Sequence, residues 1–503
     1  MRITLLHPPH TAIGSRIPGE NLPPFGLLCL GGPLIDDGHE VSLVNADLGP
    51  LSLDQALSHV VAHRPEVVLI GHSGSTSAHP TVALWVRDLR RRLPNARIIY
   101  GGVFPTYHWR EVLEECPEVD FIVRGEGEET IRRLVCALDT PETVPGIAYR
   151  KAGEPVATRP AAMIRDLDAY RIGWELIDFD AHSYWGGRKA VIMQFSRGCP
   201  HQCTYCGQRG FWTRWRHRDP VKFAREIAWL HREHGVELIN LADENPTTSP
   251  KAWRALLDEL IALDLPIKLI GSTRADDIVR DKDILPLYHK AGVLRFLLGL
   301  EGTSETTLQA VRKGGTRSKD QQAIQLLRAN GMIGLCTFAV GFAEERDRDY
   351  WQLLRQLRRY DPDQIMSIYA IPHKWTPFYQ QSADRRVIDT DLRRWDYKHQ
   401  VIEVARVPPW RVFLWVKCIE LALQARPKAL WRSYLHPDPE IRHAMRWYTR
   451  MGRRVFLREA GEALRLRLRL RPGPRVSTFL GVPVAEQALQ QREVQRVPDK
   501  ESA

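Results

Sequence analysis

Three cysteines within ten residues limit this 503-residue chain more than any other feature. They stand in Arg197-Gly198-Cys199-Pro200-His201-Gln202-Cys203-Thr204-Tyr205-Cys206, a C-x3-C-x2-C spacing directly after the apolar run of Val191, Ile192, Met193 and Phe195. A strand that stops at such a loop can fold three thiolates around one inorganic centre. Cubane iron–sulfur clusters are held by cysteine thiolates, usually four. Three leave one iron of a 4Fe-4S cluster open to an outside ligand, which a cluster that does chemistry requires. The competing reading is zinc, with His201 or His217 as fourth ligand. Zinc motifs, however, pair C-x2-C units at a distance.

The rest of the composition agrees with a reducing compartment. Eight cysteines scattered over the chain make no disulfide framework. The chain has no uninterrupted run of about 18 apolar residues, and the apolar run at Ile3–Leu6 is too short for a signal peptide. A cytoplasmic location is expected. Hydrophobic content of 44% and charged content of 26% suit a globular protein, and the length suits two to four domains. The net charge of +11 suits an anionic membrane surface, an acidic substrate, nucleic acid or merely solvent. Nucleic acid is not favoured.

To about residue 140 short apolar strands alternate with helices. Strands are expected at Ile3–Leu6, Val41–Val44, Val67–Ile70, Ile98–Tyr100 and Phe121–Val123, with a helix through Leu27, Leu28, Leu30 and Leu34 to a stop at Gly38. Such alternation indicates a doubly wound, Rossmann-like parallel sheet, whose ligands sit beyond the strand C-termini. The loops there hold Ser73 and Gly74, the pair Gly101 and Gly102, and Arg124-Gly125-Glu126-Gly127-Glu128. Small residues let the backbone approach a bulky ligand. None forms a dinucleotide G-x-G-x-x-G. Residues 141–190 read as a connector, packed rather than free because it carries Trp174 and Trp185.

From 191 to 372 the strand–helix unit repeats. Asp219-Pro220 and Ser249-Pro250 are helix starts, and strands are expected near 238–241, 267–271, 294–300, 333–340 and 365–370. Six units give a partial (β/α)6 barrel of about 180 residues, with its chemistry at the strand C-terminal ends. Asp243-Glu244, Ser272-Thr273-Arg274, Glu301 and Gly341 gather there. Asp243 or Glu301 would equally serve as a helix cap. Residues 373–503 form a mainly helical, basic region, beginning with the loop His373-Lys374-Trp375. The Arg/Leu alternation at 464–470 has period two and is not a clean amphipathic helix. It suits a solvated basic segment or a peripheral membrane contact. The tail from about 485 reads as polar and disordered.

With Tyr205 directly before Cys206, the cysteine motif resembles that of the radical S-adenosylmethionine (SAM) enzymes. Pro24-Phe25-Gly26-Leu27, Gly38-His39-Glu40-Val41, Gly101-Gly102 and the 124–128 run resemble the N-terminal cobalamin-binding domain that many of them carry. One departure stands out: the D-x-H-x-x-G pattern that supplies a histidine to cobalt is absent, and His10 lacks the aspartate. The implied cobalamin then has no histidine ligand from that loop, or is weakly held. Phe211-Trp212, Arg216-His217-Arg218-Asp219-Pro220, Leu241-Ala242-Asp243-Glu244, Thr273-Arg274 and Arg280-Asp281-Lys282-Asp283 resemble the anaerobic magnesium-protoporphyrin IX monomethyl ester oxidative cyclases of bacteriochlorophyll synthesis.

The resemblance implies a 4Fe-4S cluster on Cys199, Cys203 and Cys206, and reduced ferredoxin or flavodoxin as electron donor. It implies SAM cleavage to a 5′-deoxyadenosyl radical, then attack on a tetrapyrrole with oxygen taken from water and closure of the fifth ring. It places the methionine amino group at Asp243 and Glu244, Ser272 and Arg274 beside the cofactor, the ribose at Glu301 and the adenine at Gly341. Cobalamin falls at Ser73, Gly74, Gly101, Gly102, Gly125 and Glu126. Trp212, Trp215 and Trp375 suit a flat macrocycle, and His217 or His373 its magnesium. The alternative is a cobalamin-dependent methyltransferase acting on a tetrapyrrole or lipid.

Overall fold

The computed structural model describes residues 1–9, 20–72, 76–212, 214–300, 311–314, 316–466 and 472–480. Its first sheet contains β1 (Arg2–His7), β2 (Glu40–Asn45), β3 (Val67–Ile70), β4 (Arg97–Gly101), β5 (Phe121–Val123), β6 (Ile147–Lys151) and β7 (Glu154–Ala157), in the order β2-β1-β3-β4-β5-β6-β7. The first five are parallel, and their apolar runs lack polar alternation because both faces are covered. Ile3 and Leu5 of β1, Val67 and Leu69 of β3 and Ile99 of β4 pack with the helices Phe25–Asp36 and Glu128–Cys136. The intervening Leu6, Val68, Ile70, Ile98 and Tyr100 pack on the other side with Leu53–Ala62, His79–Arg92 and Trp109–Glu115. The sheet is doubly wound, and its strand order reverses direction between β1 and β3, where such folds open a crevice.

The stretch expected as a plain connector adds β6 and β7 to this sheet as an antiparallel hairpin. Trp174 and Trp185 within it are buried.

The second sheet starts with the short β8 (Ser183–Tyr184), antiparallel to β9 (Arg188–Met193). A two-residue pair, β10 (Ser196–Arg197) and β11 (Arg216–His217), closes the base of the cysteine loop. Then come β12 (Leu238–Leu241), β13 (Lys268–Thr273), β14 (Val293–Gly299), β15 (Ile333–Val340) and β16 (Gln364–Tyr369). The strands β9 and β12 to β16 are all parallel, forming the six-stranded half-barrel. The local signals behave as their chemistry dictates. Asp219 caps Pro220–His234 by accepting the Lys222 N–H at 2.9 Å, and Gly235 ends the helix at φ +65°. Ser249 caps Pro250–Leu263.

Outward residues Val191, Met193, Ile239, Leu241, Phe296 and Phe338 pack under the surrounding helices. Their inward neighbours near the strand starts, Ala190, Leu238, Ile270, Leu294 and Ile333, meet Met445 and Trp447 of the long helix Pro439–Leu466. That helix closes the strand-start end of the half-barrel and leaves the strand C-termini for chemistry. The C-terminal region is mainly helical, with Pro409–Gln424 and Pro427–Tyr434 before the long helix. The Arg/Leu stretch enters that helix as far as Leu466, while 467–471 and 481–503 lie outside the described residues. No described helix is long and apolar enough to cross a membrane.

Candidate radical SAM site

The cysteine loop leaves β9 through a turn that two acidic side chains organise. Asp243, buried just after β12, accepts the N–H groups of Phe195 at 3.0 Å and Ser196 at 2.5 Å and the Ser196 hydroxyl at 2.6 Å. Burial pushes its carboxyl up to about 7. Glu244 accepts the Gly198 N–H at 3.2 Å, and burial pushes it up to about 8. Of the pair expected at the methionine amino group, Asp243 thus shapes the turn, and Glu244 sits beside the cysteine loop. Gly198 has φ +94°, and a Cβ there would stand 2.4 Å from the Arg214 carbonyl oxygen, so the loop folds back tightly on itself.

Within the loop, Arg209 Nη1 donates to the Gln202 carbonyl at 2.5 Å, and the Thr204 N–H donates to the Val311 carbonyl at 2.9 Å. All three cysteines are free and half-buried. Burial pushes the Cys206 thiol up to about 12, and the neighbouring thiols of Cys203 and Cys199 add to the rise. Burial raises the Cys199 thiol as well, so these two resist ionisation until a cation takes the charge. Thr204 Oγ1, Gln208 Oε1, Trp212 Nε1 and Arg274 Nε are buried with no hydrogen-bond partner. Three thiols in one loop, with the unsatisfied polar atoms of Thr204 and Gln208 in the same stretch, fit a cluster and a polar cofactor. Among the described residues no set of three or more His, Cys, Asp or Glu side chains is gathered for a single metal ion. The Nδ1 of His217 is 2.8 Å from the Arg218 carbonyl oxygen.

Around this loop the other expected residues fall at the strand ends. Ser272 lies in β13. Arg274 follows it, donating through Nη2 to Asp276 at 3.0 Å and to the Lys313 carbonyl at 2.7 Å. Gly341 has φ +94°; its N–H donates to Glu345 at 2.9 Å and its carbonyl accepts Arg385 at 2.7 Å. Tyr205 packs on the apolar cluster of Ile371, Phe378 and Trp395 that follows β16. Glu301 lies outside the described residues, as do Ser73, Gly74 and His10.

On the N-terminal sheet the strand-end loops hold Gly101, Gly102 at φ +117° and Gly125 at φ +84°. Nothing lies within 4 Å of where a Gly125 Cβ would be. That space beside bare backbone fits the approach of a flat, bulky group. Glu126 departs from expectation. Its carboxylate does not stand free for a cofactor: it holds Arg216 through bonds of 3.0 and 2.9 Å, approaches Arg197 at 3.3 Å and accepts the Ile164 N–H at 2.8 Å.

His373 is likewise no free magnesium ligand. It is 1% exposed, with Nδ1 3.1 Å from Thr76 Oγ1 and Nε2 2.6 Å from Tyr397 Oη. Burial drops its imidazole to about 3. Trp375 is 5% exposed, stacked on Tyr107 at 4.8 Å and on His373 at 4.7 Å. It is a joint between units rather than a face for a macrocycle. Trp215 is half-buried and donates to the Asn245 carbonyl at 3.0 Å. Sequence reasoning missed Tyr107 as part of the site, and it named Thr76 and Arg197 within their loops without their partners. No local pattern marks them, because each finds its partner only in the folded chain.

A family model described as the radical SAM superfamily matches residues 193–357, and one described as the B12 binding domain matches 16–135. The anaerobic magnesium-protoporphyrin IX monomethyl ester cyclase of Synechocystis sp. is 56% identical over 97% of this chain and 99% of that protein. The same-named protein of Rubrivivax gelatinosus is 34% identical over 76% of this chain and 70% of that one. Among solved structures, the radical SAM methyltransferase TsrM from Kitasatospora setae, with cobalamin and a [4Fe-4S] cluster bound, superposes with a TM-score of 0.68 at 15% identity. That match covers 92% of this chain and 99% of TsrM. The cobalamin-dependent SAM radical enzyme OxsB gives 0.66 at 16%, covering 99% of this chain and 82% of OxsB. These distant structures share the fold, while the sequence relatives decide the family. The chain belongs to the family of anaerobic magnesium-protoporphyrin IX monomethyl ester cyclases, which joins a B12-binding domain to a radical SAM half-barrel.

Proposed function

We propose that the chain closes the isocyclic ring of magnesium-protoporphyrin IX monomethyl ester by radical SAM chemistry. The observation that carries this is the 56% identity to a cyclase over nearly the whole of both chains. The relatives described as methyltransferases or methylases are 24–27% identical, and one at 24% covers 90% of this chain. Methyl transfer is therefore not favoured.

When bound, the 4Fe-4S cluster supplies the electron that cleaves SAM, and cobalamin supplies cobalt chemistry beside it. The chain's own residues bind and orient. Cys199, Cys203 and Cys206 offer three thiolates and leave one iron position for SAM. Glu244 stands beside that loop, where the methionine ammonium would draw its carboxyl into the charged form. Arg274, with its Nε unsatisfied, suits the methionine carboxylate, and Ser272 lies two residues before it. Gly341 presents bare backbone to the adenine. Gly101, Gly102 and Gly125 give the corrin room, while Asp243 fixes the turn on which the cysteines depend. The remaining partners in this reading are the tetrapyrrole and a reduced ferredoxin or flavodoxin. No observation on the described residues supports contact with a bilayer.

The test is anaerobic reconstitution with iron, sulfide and cobalamin, then addition of SAM, a reductant and magnesium-protoporphyrin IX monomethyl ester, followed by product mass. Ring closure adds one oxygen and removes four hydrogens from the substrate, whereas methyl transfer adds one CH2. SAM cleavage that disappears in Cys203→Ala, with the cyclised mass in the wild type, is the expected result. A methylated mass would overturn the cyclase reading. Absence of cleavage in folded, iron-loaded protein would overturn the radical chemistry.

A further inference from the structure

The cysteine loop is gripped at both ends by the N-terminal unit. Before Cys199, Arg197 Nη2 donates to Glu128 Oε1 at 2.5 Å and Nη1 approaches Glu126 Oε1 at 3.3 Å. Arg216, paired opposite Arg197 across β10 and β11, clasps the same Glu126 carboxylate from both of its terminal nitrogens. The side chains of Arg197, Glu126, Glu128 and Arg216 are 13%, 6%, 7% and 10% exposed. After Cys206, the Tyr107 hydroxyl donates to the Arg209 carbonyl at 3.1 Å. Trp375, stacked on Tyr107, donates to the Gly207 carbonyl at 2.8 Å.

We propose that the Arg197–Glu126–Arg216 clamp is a positioning device that couples the cobalamin loop to the cysteine loop, so that cluster and cobalamin each favour binding of the other. It rests on the reading that these two loops hold those two groups, and is independent of the substrate. Glu126 follows Gly125, the open glycine of the 124–128 loop, while Arg197 is separated from Cys199 only by Gly198. Gly198 lies close against the Arg214 carbonyl, where a Cβ would stand 2.4 Å from its oxygen. A shift of the 124–128 loop therefore reaches the first cysteine through a single intervening residue. Paired guanidinium–carboxylate bonds are directional as well as strong. Buried ion pairs contribute little net stability compared with apolar packing, and one well-attested use is to fix a register. Four charges buried across a domain junction suit that use. Coupling between two binding sites is reciprocal by thermodynamic necessity.

The test uses the full chain and aquacobalamin, titrated by absorbance under anaerobic conditions with and without the reconstituted cluster. In the wild type the cluster is expected to tighten cobalamin binding by about 5-fold or more, the lower end of ordinary allosteric coupling. In Glu126→Gln the ratio of the two affinities should fall towards one. Hydrogen exchange on the cofactor-free chain supplies the second readout: Glu126→Gln should speed exchange in 124–128 and 198–206 together. If Glu126→Gln does not fold, Arg216→Lys, which keeps the charge and loses the fork, is expected to give the same result in weaker form. A wild-type ratio of one would overturn the proposal, as would equal ratios in wild type and variant or exchange rising in one loop alone. Loss of ring closure with the affinity ratio intact would count against the proposed function and leave this coupling standing.

Discussion

Trp375 Nε1 donates to the Gly207 carbonyl at 2.8 Å, one residue beyond the third cysteine and 168 residues away along the chain. The same indole lies flat on Tyr107, with 6° between the planes, inside the core of the N-terminal sheet. One side chain thereby ties the cysteine loop, the N-terminal sheet and the segment after the half-barrel together.

Trp375→Phe keeps the stacking and removes the hydrogen bond, so it should cost about 0.5–1.5 kcal/mol. Trp375→Ala opens a cavity and should cost about 3–5 kcal/mol. Denaturant unfolding measures both costs. Iron retained after desalting should fall in the order wild type, Phe, Ala, because the carbonyl next to Cys206 loses its anchor.

Gly198→Ala should prevent cluster assembly while leaving both sheets folded. The positive φ costs about 1–3 kcal/mol for a residue with a Cβ, and that Cβ would collide with the Arg214 carbonyl oxygen at 2.4 Å. Iron and sulfide content, set against unchanged far-ultraviolet circular dichroism, is the check. Normal iron content in the variant would contradict the tight fold of this loop.

His373 makes the fold sensitive to acid. Burial depresses its imidazole to about 3 from an ordinary 6.5. Below 6.5 the unfolded chain takes a proton that the folded chain refuses, so stability falls as pH drops from 6.5 towards 3. The slope from this group is at most about 1.4 kcal/mol per pH unit. Urea unfolding at several pH values should show His373→Asn with a shallower acid loss than the wild type.

Glu345 acts in the opposite direction. It accepts the Gly341 N–H at 2.9 Å and the Tyr350 hydroxyl at 2.5 Å, yet burial raises its carboxyl to about 7 from 4.5. The folded chain holds this proton after the unfolded chain has lost it, so stability falls as pH rises from 4.5 through 7. Arg385, close enough to favour the charged form, reduces the effect without reversing it. Glu345→Gln should flatten this part of the profile, again by at most about 1.4 kcal/mol per unit. An unchanged slope would show that Glu345 titrates as an ordinary carboxyl.

The sequence by itself determined what depends on near neighbours along the chain. Cysteine spacing, Asp219-Pro220 and Ser249-Pro250 at helix starts, Gly235 at a helix end and the continuous apolar runs of buried parallel strands all act within a few residues. They were enough to lay out a doubly wound sheet, six barrel strands and a three-thiol loop. The hairpin Ile147–Ala157 escaped because its strands are short and interrupted by Pro155, and its place is set by pairing with Phe121–Val123. Tertiary structure alone decided which charged and aromatic groups are taken. Glu126 looks like a free cofactor residue until Arg216, 90 residues later, closes on it. His373 looks like a metal ligand until Thr76, 297 residues earlier, and Tyr397 occupy its two nitrogens. A side chain's type fixes what it can bind, but burial and distant partners fix what it does bind, and both exist only once the two sheets have met.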